Sequence, residues 1–176
     1  DIRPLMAERP ARQQHQALAG IQSKTHERKP TVLFLCVHNA GRSQMALGGF
    51  NRLAGDRAAA WSGGSEPGTE VTPSAVAAMA EVGIDITAEF PKPWTDEIVQ
   101  AADVVITMGC GDACPVFPGK LYEEWVLDDP AGLEVAAVRP VRDEIERRIL
   151  TLLTQLHVPA RTSSDNPRGR QTSTTT

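Results

Sequence analysis

The sequence predicts an α/β fold, a three-layer sandwich around a central parallel sheet of about four strands. Three observations lead there. The runs at 31–37 (T-V-L-F-L-C-V) and 103–108 (D-V-V-I-T-M) are short and nearly continuous in apolar residues, as strands buried on both faces are. The segments between them carry apolar residues at helical spacing. Strand and helix patterns alternate along the chain, which is how βαβ units read. A chain of 176 residues with 41% apolar side chains can bury one real core. With only 5% aromatic residues, Val, Leu, Ile, Ala and Met must fill most of it.

Each element has its own signal. The first strand is expected over 31–37. After a glycine-containing turn, Ser43 is placed to cap a helix over 43–53, with Ala46, Phe50, Leu53 and Ala54 on its core face. A second strand is expected over 58–62. Thr72 followed by Pro73 reads as a helix N-cap and first-turn proline, and Gly83 ends that helix after Val82. A further helix is expected over 95–102, a third strand over 103–108 and a fourth over 125–127. Pro140 is read as opening the last helix, where Val141, Ile145, Ile149, Leu152, Leu153 and Leu156 make one stripe. Trp94, Tyr122 and Trp125 are expected to pack rather than to act.

Charge divides the chain into three. Residues 1–30 carry six basic and three acidic side chains, 31–158 nine basic and eighteen acidic, and 159–176 three basic and one acidic. The middle part is expected to be the folded domain. The first 30 residues read as an extension, either mobile or an arm for docking or for a homodimer; Leu18, Ala19 and Ile21 suit a helix, but Pro4 and Pro10 interrupt its beginning. The polar end from Pro159 onward reads as a disordered tail. A net charge of −4 argues against a nucleic-acid partner. No apolar run approaches the roughly 20 residues of a membrane span, and the first 30 residues lack the apolar core of a secretory signal. Three cysteines do not make a disulfide framework. A cytoplasmic location and no bound cofactor or metal are therefore expected.

In a parallel sheet, ligands bind beyond the carboxyl ends of the strands, so the turn after the first strand is the place to look. It reads C-V-H-N-A-G-R-S, from Cys36 to Ser43. The five residues Val37, His38, Asn39, Ala40 and Gly41 can curl so that successive backbone N–H groups point inward and bind a tetrahedral oxyanion. Asn39 and Gly41 are the residues best able to take unusual backbone angles. The following helix adds its positive end, and Arg42 a planar fork for two oxygens. Cys36 would sit on the floor, where a nest that binds an anion also favours a thiolate, helped by the Ser43 hydroxyl. His38 is expected to hydrogen-bond locally, and Ser65, Glu66 and Thr69 to be solvated. No Gly-x4-Gly-Lys-Ser/Thr string exists, which excludes a nucleotide P-loop of that type.

C-V-H-N-A-G-R-S-Q-M-A after a V-L-F-L strand resembles the low-molecular-weight tyrosine phosphatase superfamily. T-M-G-C-G-D-A-C-P at 107–115, D-D-P-A-G at 128–132 and V-R-D-E-I at 141–145 resemble its arsenate reductase branch. The resemblance spans 31–156 and implies a low-molecular-weight tyrosine phosphatase-like fold. It implies a general acid immediately before Pro130, hence Asp129, where the residues alone read as an ordinary Asp-Asp-Pro turn. Cys110 and Cys114 have three readings: unreactive thiols, part of a zinc site, or a redox relay. The resemblance favours the relay, in which arsenate is attacked by Cys36, a Cys36–Cys110 disulfide forms as arsenite leaves, and Cys114 then yields a Cys110–Cys114 disulfide. A thioredoxin would restore the thiols; a small thiol such as mycothiol, with a mycoredoxin, or glutathione is the other route. Two further functions compete. One is a phosphatase using Cys36, Arg42 and Asp129, although the phosphatase branch carries aromatic residues where this chain has Ala131 and Gly132. The other is a module that binds arsenite or a soft metal through its thiolates.

Overall fold

In the computed structural model, the residues described are 29–109 and 116–161. They form β1 (Thr31–Cys36), α1 (Arg42–Ala54), β2 (Ala59–Gly64), α2 (Pro73–Glu81), α3 (Asp96–Ala101), β3 (Val104–Met108), β4 (Leu121–Glu124) and α4 (Val135–Gln155). The four strands make one parallel sheet in the order β2-β1-β3-β4. The chain first moves from β1 outward to β2, then returns across β1 to β3. That reversal opens a crevice at the carboxyl end of β1.

The alternation of side chains along each strand sorts the core into two layers. Val32, Phe34 and Cys36 of β1 and Val104, Ile106 and Met108 of β3 face α1, α2 and α4, where they meet Met45, Phe50, Met79, Ile145 and Ile149. Leu33, Leu35 and Val105 face the other way, onto Val99 and Ala102 at α3, with Trp94, Phe117 and Tyr122 at the margin. Phe34 is the centre of the larger layer, its ring 5.7 Å from that of Phe50 and 5.8 Å from that of Trp125. Cys36 is therefore the last rung of a central strand, paired with Gly64 on one side and Met108 on the other.

The sheet and its helical layers match the expectation, and several boundaries move. β4 is Leu121–Glu124, not 125–127. As an edge strand it tolerates the exposed Glu123 and Glu124, while Trp125 gives its N–H to the Thr107 carbonyl and turns its ring into the core. α4 starts at Val135, so Pro140 lies inside the helix rather than opening it. The proline removes only the bond to the Ala136 carbonyl, and that residue is exposed to water. Buried Val138 holds the preceding turn to the core. α1 is capped at Gly41 with no side-chain bond, so Ser43 is not its cap. β2 runs to Gly64, past the expected end at Ser62.

Thr95 caps α3 by accepting the Ile98 N–H at 3.2 Å, and Lys120 bonds the Gln100 and Ala102 carbonyls at the other end of that helix. Pro159, Ala160 and Arg161, the first residues of the expected tail, are held against the domain. Arg57 bonds the Pro159 carbonyl and the Arg161 N–H bonds that of Leu53. The rest of the tail, and the extension up to residue 28, lie outside the described residues. Among those described, no helix is long and apolar enough to cross a membrane.

Candidate active site

The loop from Cys36 to Ser43 is fixed from outside by a second stretch of backbone. Ser65, Glu66, Gly68 and Thr72 donate their N–H groups to the carbonyls of Cys36, Val37, His38 and Ala40, at 3.3, 2.8, 2.9 and 2.8 Å. The Asn39 carbonyl is taken by Gln44 Nε2 at 3.0 Å. Five successive carbonyls are thus turned outward. In a planar trans peptide the N–H points opposite to the C=O, so the N–H groups of 37–41 turn inward. This is the nest the sequence predicts, and its cause is the rail at 65–72. The Glu66 and Thr69 side chains are exposed, as expected, but the backbone beneath them does this work.

Close approach of the two backbones requires glycine at 64. A Cβ there would lie 2.6 Å from the Val37 carbonyl oxygen and 2.9 Å from the Asn39 nitrogen. Asn39 takes the left-handed conformation, with φ 50°. Gly41 has φ −130°, outside the left-handed region. Its lack of a side chain serves space instead, since a Cβ would run into Pro130 Cγ.

On the floor, Cys36 is buried, with its Sγ accepting the Asn39 N–H at 3.2 Å and lying 2.9 Å from Ser43 Oγ. The Asn39 side-chain amide donates to the same Ser43 oxygen at 2.7 Å. That occupies a lone pair and leaves the hydroxyl proton free to point at sulfur. Asn39 is the hub: its Oδ1 also accepts from the Lys92 N–H at 3.0 Å and from Gln44 Nε2 at 3.1 Å. Gln44 bonds the Phe90 carbonyl as well, at 3.1 Å, and Lys92 Nζ reaches buried Ser62 Oγ at 3.3 Å. His38 Nδ1 meets the Glu66 carbonyl at 2.9 Å, the local role expected of it.

The open side carries opposite charges. The Arg42 guanidinium donates to the Leu127 carbonyl at 3.4 Å, lies 3.6 Å from Asp129 Oδ2 and rests against Gly109, just past β3. The Arg42 side chain is only 12% exposed, that of Asp129 49%. Asp129 is steadied by the Ala131 N–H on Oδ1, at 3.0 Å. Asp129, distant in sequence, thus converges on Cys36, Arg42 and Ser43 of the loop, with 37–41 between them. Cys110 and Cys114 lie outside the described residues. Gln44, Lys92, Gly64 and the backbone rail at 65–72 had no part in the site as read from the sequence. A glutamine within the apolar register of a helix start was the one available signal.

This geometry has close counterparts. Residues 31–161 match the family described as low molecular weight phosphotyrosine protein phosphatase. An arsenate reductase of Staphylococcus epidermidis is 40% identical over 131 residues, covering 72% of this chain and 98% of that one. An arsenate reductase of Halalkalibacterium halodurans is 42% identical over 133 residues, covering 70% and 94%. Among solved structures, the thioredoxin-dependent arsenate reductase of Corynebacterium glutamicum superposes with a TM-score of 0.67 at 40% identity, covering 88% of this chain and 75% of that one. With the fold, the loop and these relatives in agreement, the chain belongs to the low-molecular-weight phosphotyrosine protein phosphatase family, in its arsenate reductase branch.

Proposed function

We propose that this chain reduces arsenate to arsenite, with Cys36 as nucleophile, the 37–42 backbone and Arg42 as the oxyanion cradle, Asp129 as general acid, and Cys110 and Cys114 as the redox relay. One observation carries the reading. A buried sulfur accepts hydrogen bonds on the floor of an inward-facing amide nest, with a guanidinium and a carboxyl group on the open side.

The Cys36 thiolate attacks arsenic while Asp129 protonates a departing oxygen, so that water leaves and a sulfur–arsenic(V) bond forms. The nest and Arg42 hold the remaining oxygens, and Ser43 holds the sulfur before and after the attack. The Cys110 thiolate then attacks Cys36 Sγ. The sulfur–arsenic bond breaks with its electron pair staying on arsenic, which leaves as arsenite, and a Cys36–Cys110 disulfide remains. Cys114 attacks Cys110, which frees the Cys36 thiolate and leaves a Cys110–Cys114 disulfide for an external dithiol to reduce. A thioredoxin is the donor favoured, because the Corynebacterium glutamicum neighbour is described as thioredoxin-dependent. A mycothiol route would instead place the small thiol on the arsenic adduct. Both donors require the reducing cytoplasm.

The test is NADPH oxidation that depends on arsenate, in the presence of thioredoxin and thioredoxin reductase. Wild type turns over; Cys36→Ser falls to background; Cys110→Ser makes no arsenite yet still cleaves p-nitrophenyl phosphate. Turnover by Cys110→Ser at the wild-type rate with thioredoxin would refute the relay. Slow hydrolysis of phosphate esters is a second activity of the same loop, because phosphate shares arsenate's shape and charge, and the family match favours it.

A further inference from the structure

A cleft of about 720 Å³ lies in the helical layer, within the size range of small-molecule sites. None of Cys36, Arg42, Ser43 or Asp129 lines it. Met45, Gly49 and Leu53, four apart on one face of α1, form its first side. Arg142, Ile145 and Ile149 of α4 form the second, and Val82, Gly83 and Ile84, just past α2, the third. Met45, Ile145 and Ile149 are closed core beneath the opening. Leu53 and Ile84 are half-buried and Val82 is 41% exposed, so these three are the apolar surface a guest would meet.

The charge around this cleft runs against that of the domain. Over 31–158 acidic side chains outnumber basic ones eighteen to nine, yet the cleft is lined by Arg52, Arg142 and Arg161 against Glu146 alone. The backbone fixes these arginines in advance. Arg142, only 13% exposed, gives Nη1 to the Ala78 carbonyl at 2.8 Å, while Glu81 and Asp143 take part of its charge, each at 3.0 Å. Arg52 gives Nη1 to the Gly83 carbonyl at 2.9 Å. That partner is a neutral oxygen, which leaves the charge of Arg52 at the rim. Arg161 lies along Gly55, where a Cβ would come within 2.6 Å of its Cδ, and its own N–H bonds the Leu53 carbonyl. Aliphatic walls under positioned guanidiniums suit a molecule with an apolar body and one anionic head. Among the described residues none that lines the cleft is aromatic, which favours a flexible chain over a flat ring.

We propose that this cleft between α1, α4 and the turn after α2 binds a single-chain aliphatic carboxylate, with its chain on Leu53, Val82 and Ile84 and its head on Arg52, while Arg142 and Arg161 add to the positive field. The ligand is not the substrate of the loop at 36–43, and the site does not depend on what that loop turns over.

Decanoate is the probe, titrated into the full chain by calorimetry. One site per chain should fill with a Kd on the order of 10 to 100 μM. Decan-1-ol, which keeps the body and lacks the charge, should bind about tenfold more weakly. Saturating inorganic phosphate, a guest for the nest, should leave the decanoate Kd unchanged. Arg52→Gln should raise that Kd about tenfold, Arg52→Lys about twofold, and Val82→Asp, which sets a carboxylate against the head, about tenfold. The melting temperature and arsenate turnover of all three variants should stay at wild-type values. No saturable binding below about 1 mM, displacement of decanoate by phosphate, equal affinity for decanoate and decan-1-ol, or Arg52→Gln and Val82→Asp both within about twofold of wild type would each overturn the site. So would a chain that sediments with phosphatidylglycerol vesicles yet takes up no monomeric decanoate, which would make the cleft a contact for a lipid surface.

Discussion

The loop at 36–43 and the segment at 127–133 face each other across one opening and are built on opposite plans. In the loop, the carbonyls of residues 36–40 are all taken, Asn39, Ser43 and Gln44 are buried without exposure, and a neighbouring backbone approaches so closely that only glycine fits at 64. In the segment, Asp128, Asp129, Ala131, Gly132 and Leu133 are exposed, and Asp129 is held by one backbone N–H and one ion contact at 3.6 Å. The difference fits the tasks proposed for the two regions. An amide nest stabilises a transition state only if its dipoles are fixed in advance, because reorganising them would consume the gain. A proton donor must exchange its proton with water every cycle, and product must leave past it, so burial there would be a handicap.

The widest gap should come from Asn39→Ala. It strips two donors, the Lys92 N–H and Gln44 Nε2, of an acceptor, and places alanine in a left-handed conformation. Urea unfolding should show a loss of about 3 kcal/mol, and arsenate turnover should fall by about 10²- to 10³-fold as the nest and the Ser43 hydroxyl lose their aim. Asn39→Gly relieves the backbone angle and still leaves the Lys92 N–H without its acceptor. It should recover about 1 kcal/mol of stability and little of the rate. A full recovery of rate in the glycine variant would mean that the angle, not the network, is what matters.

On the other side, Asp129→Asn should uncouple the two properties. Loss of the acid should slow turnover by about 10²-fold, while an ion contact this exposed contributes about 0.5 kcal/mol or less to stability. A stability change as large as that of Asn39→Ala would erase the contrast between the two regions.

How much of this was legible follows from what each feature is made of. β1, β3 and the Cys-x5-Arg-Ser turn were readable because apolar runs and special side chains are local signals. Asn39 was readable as a left-handed residue for the same reason. Gly41 was picked for its backbone freedom, whereas its requirement is the bulk of Pro130, 89 positions away, and no local pattern carries that. The rail at 65–72 was illegible, because backbone donors have no side-chain signature. Pro140 misled because proline is at ease in a first turn, while tertiary burial of Val138 extends the helix in front of it. The part proposed for Asp129 comes from family likeness, since an Asp-Asp-Pro string by itself reads as a turn.

The smallest effect sharpens the comparison most. If the segment is a tolerant rim, it should accept a large side chain at no cost to folding and change only what enters. Ala131 is exposed and lies two residues past Asp129, where the phosphatase branch presents an aromatic side chain. Ala131→Tyr should leave the unfolding midpoint within about 0.5 kcal/mol of wild type. A ring beside the opening gives a phenyl ester an aromatic partner, about 1 kcal/mol, so the KM for p-nitrophenyl phosphate should fall about fivefold. Arsenate, which has no ring to stack, should show no such gain. An equal change for both substrates would mean that the tyrosine disturbs the loop itself, and that the rim and the nest are less independent than their hydrogen bonds imply.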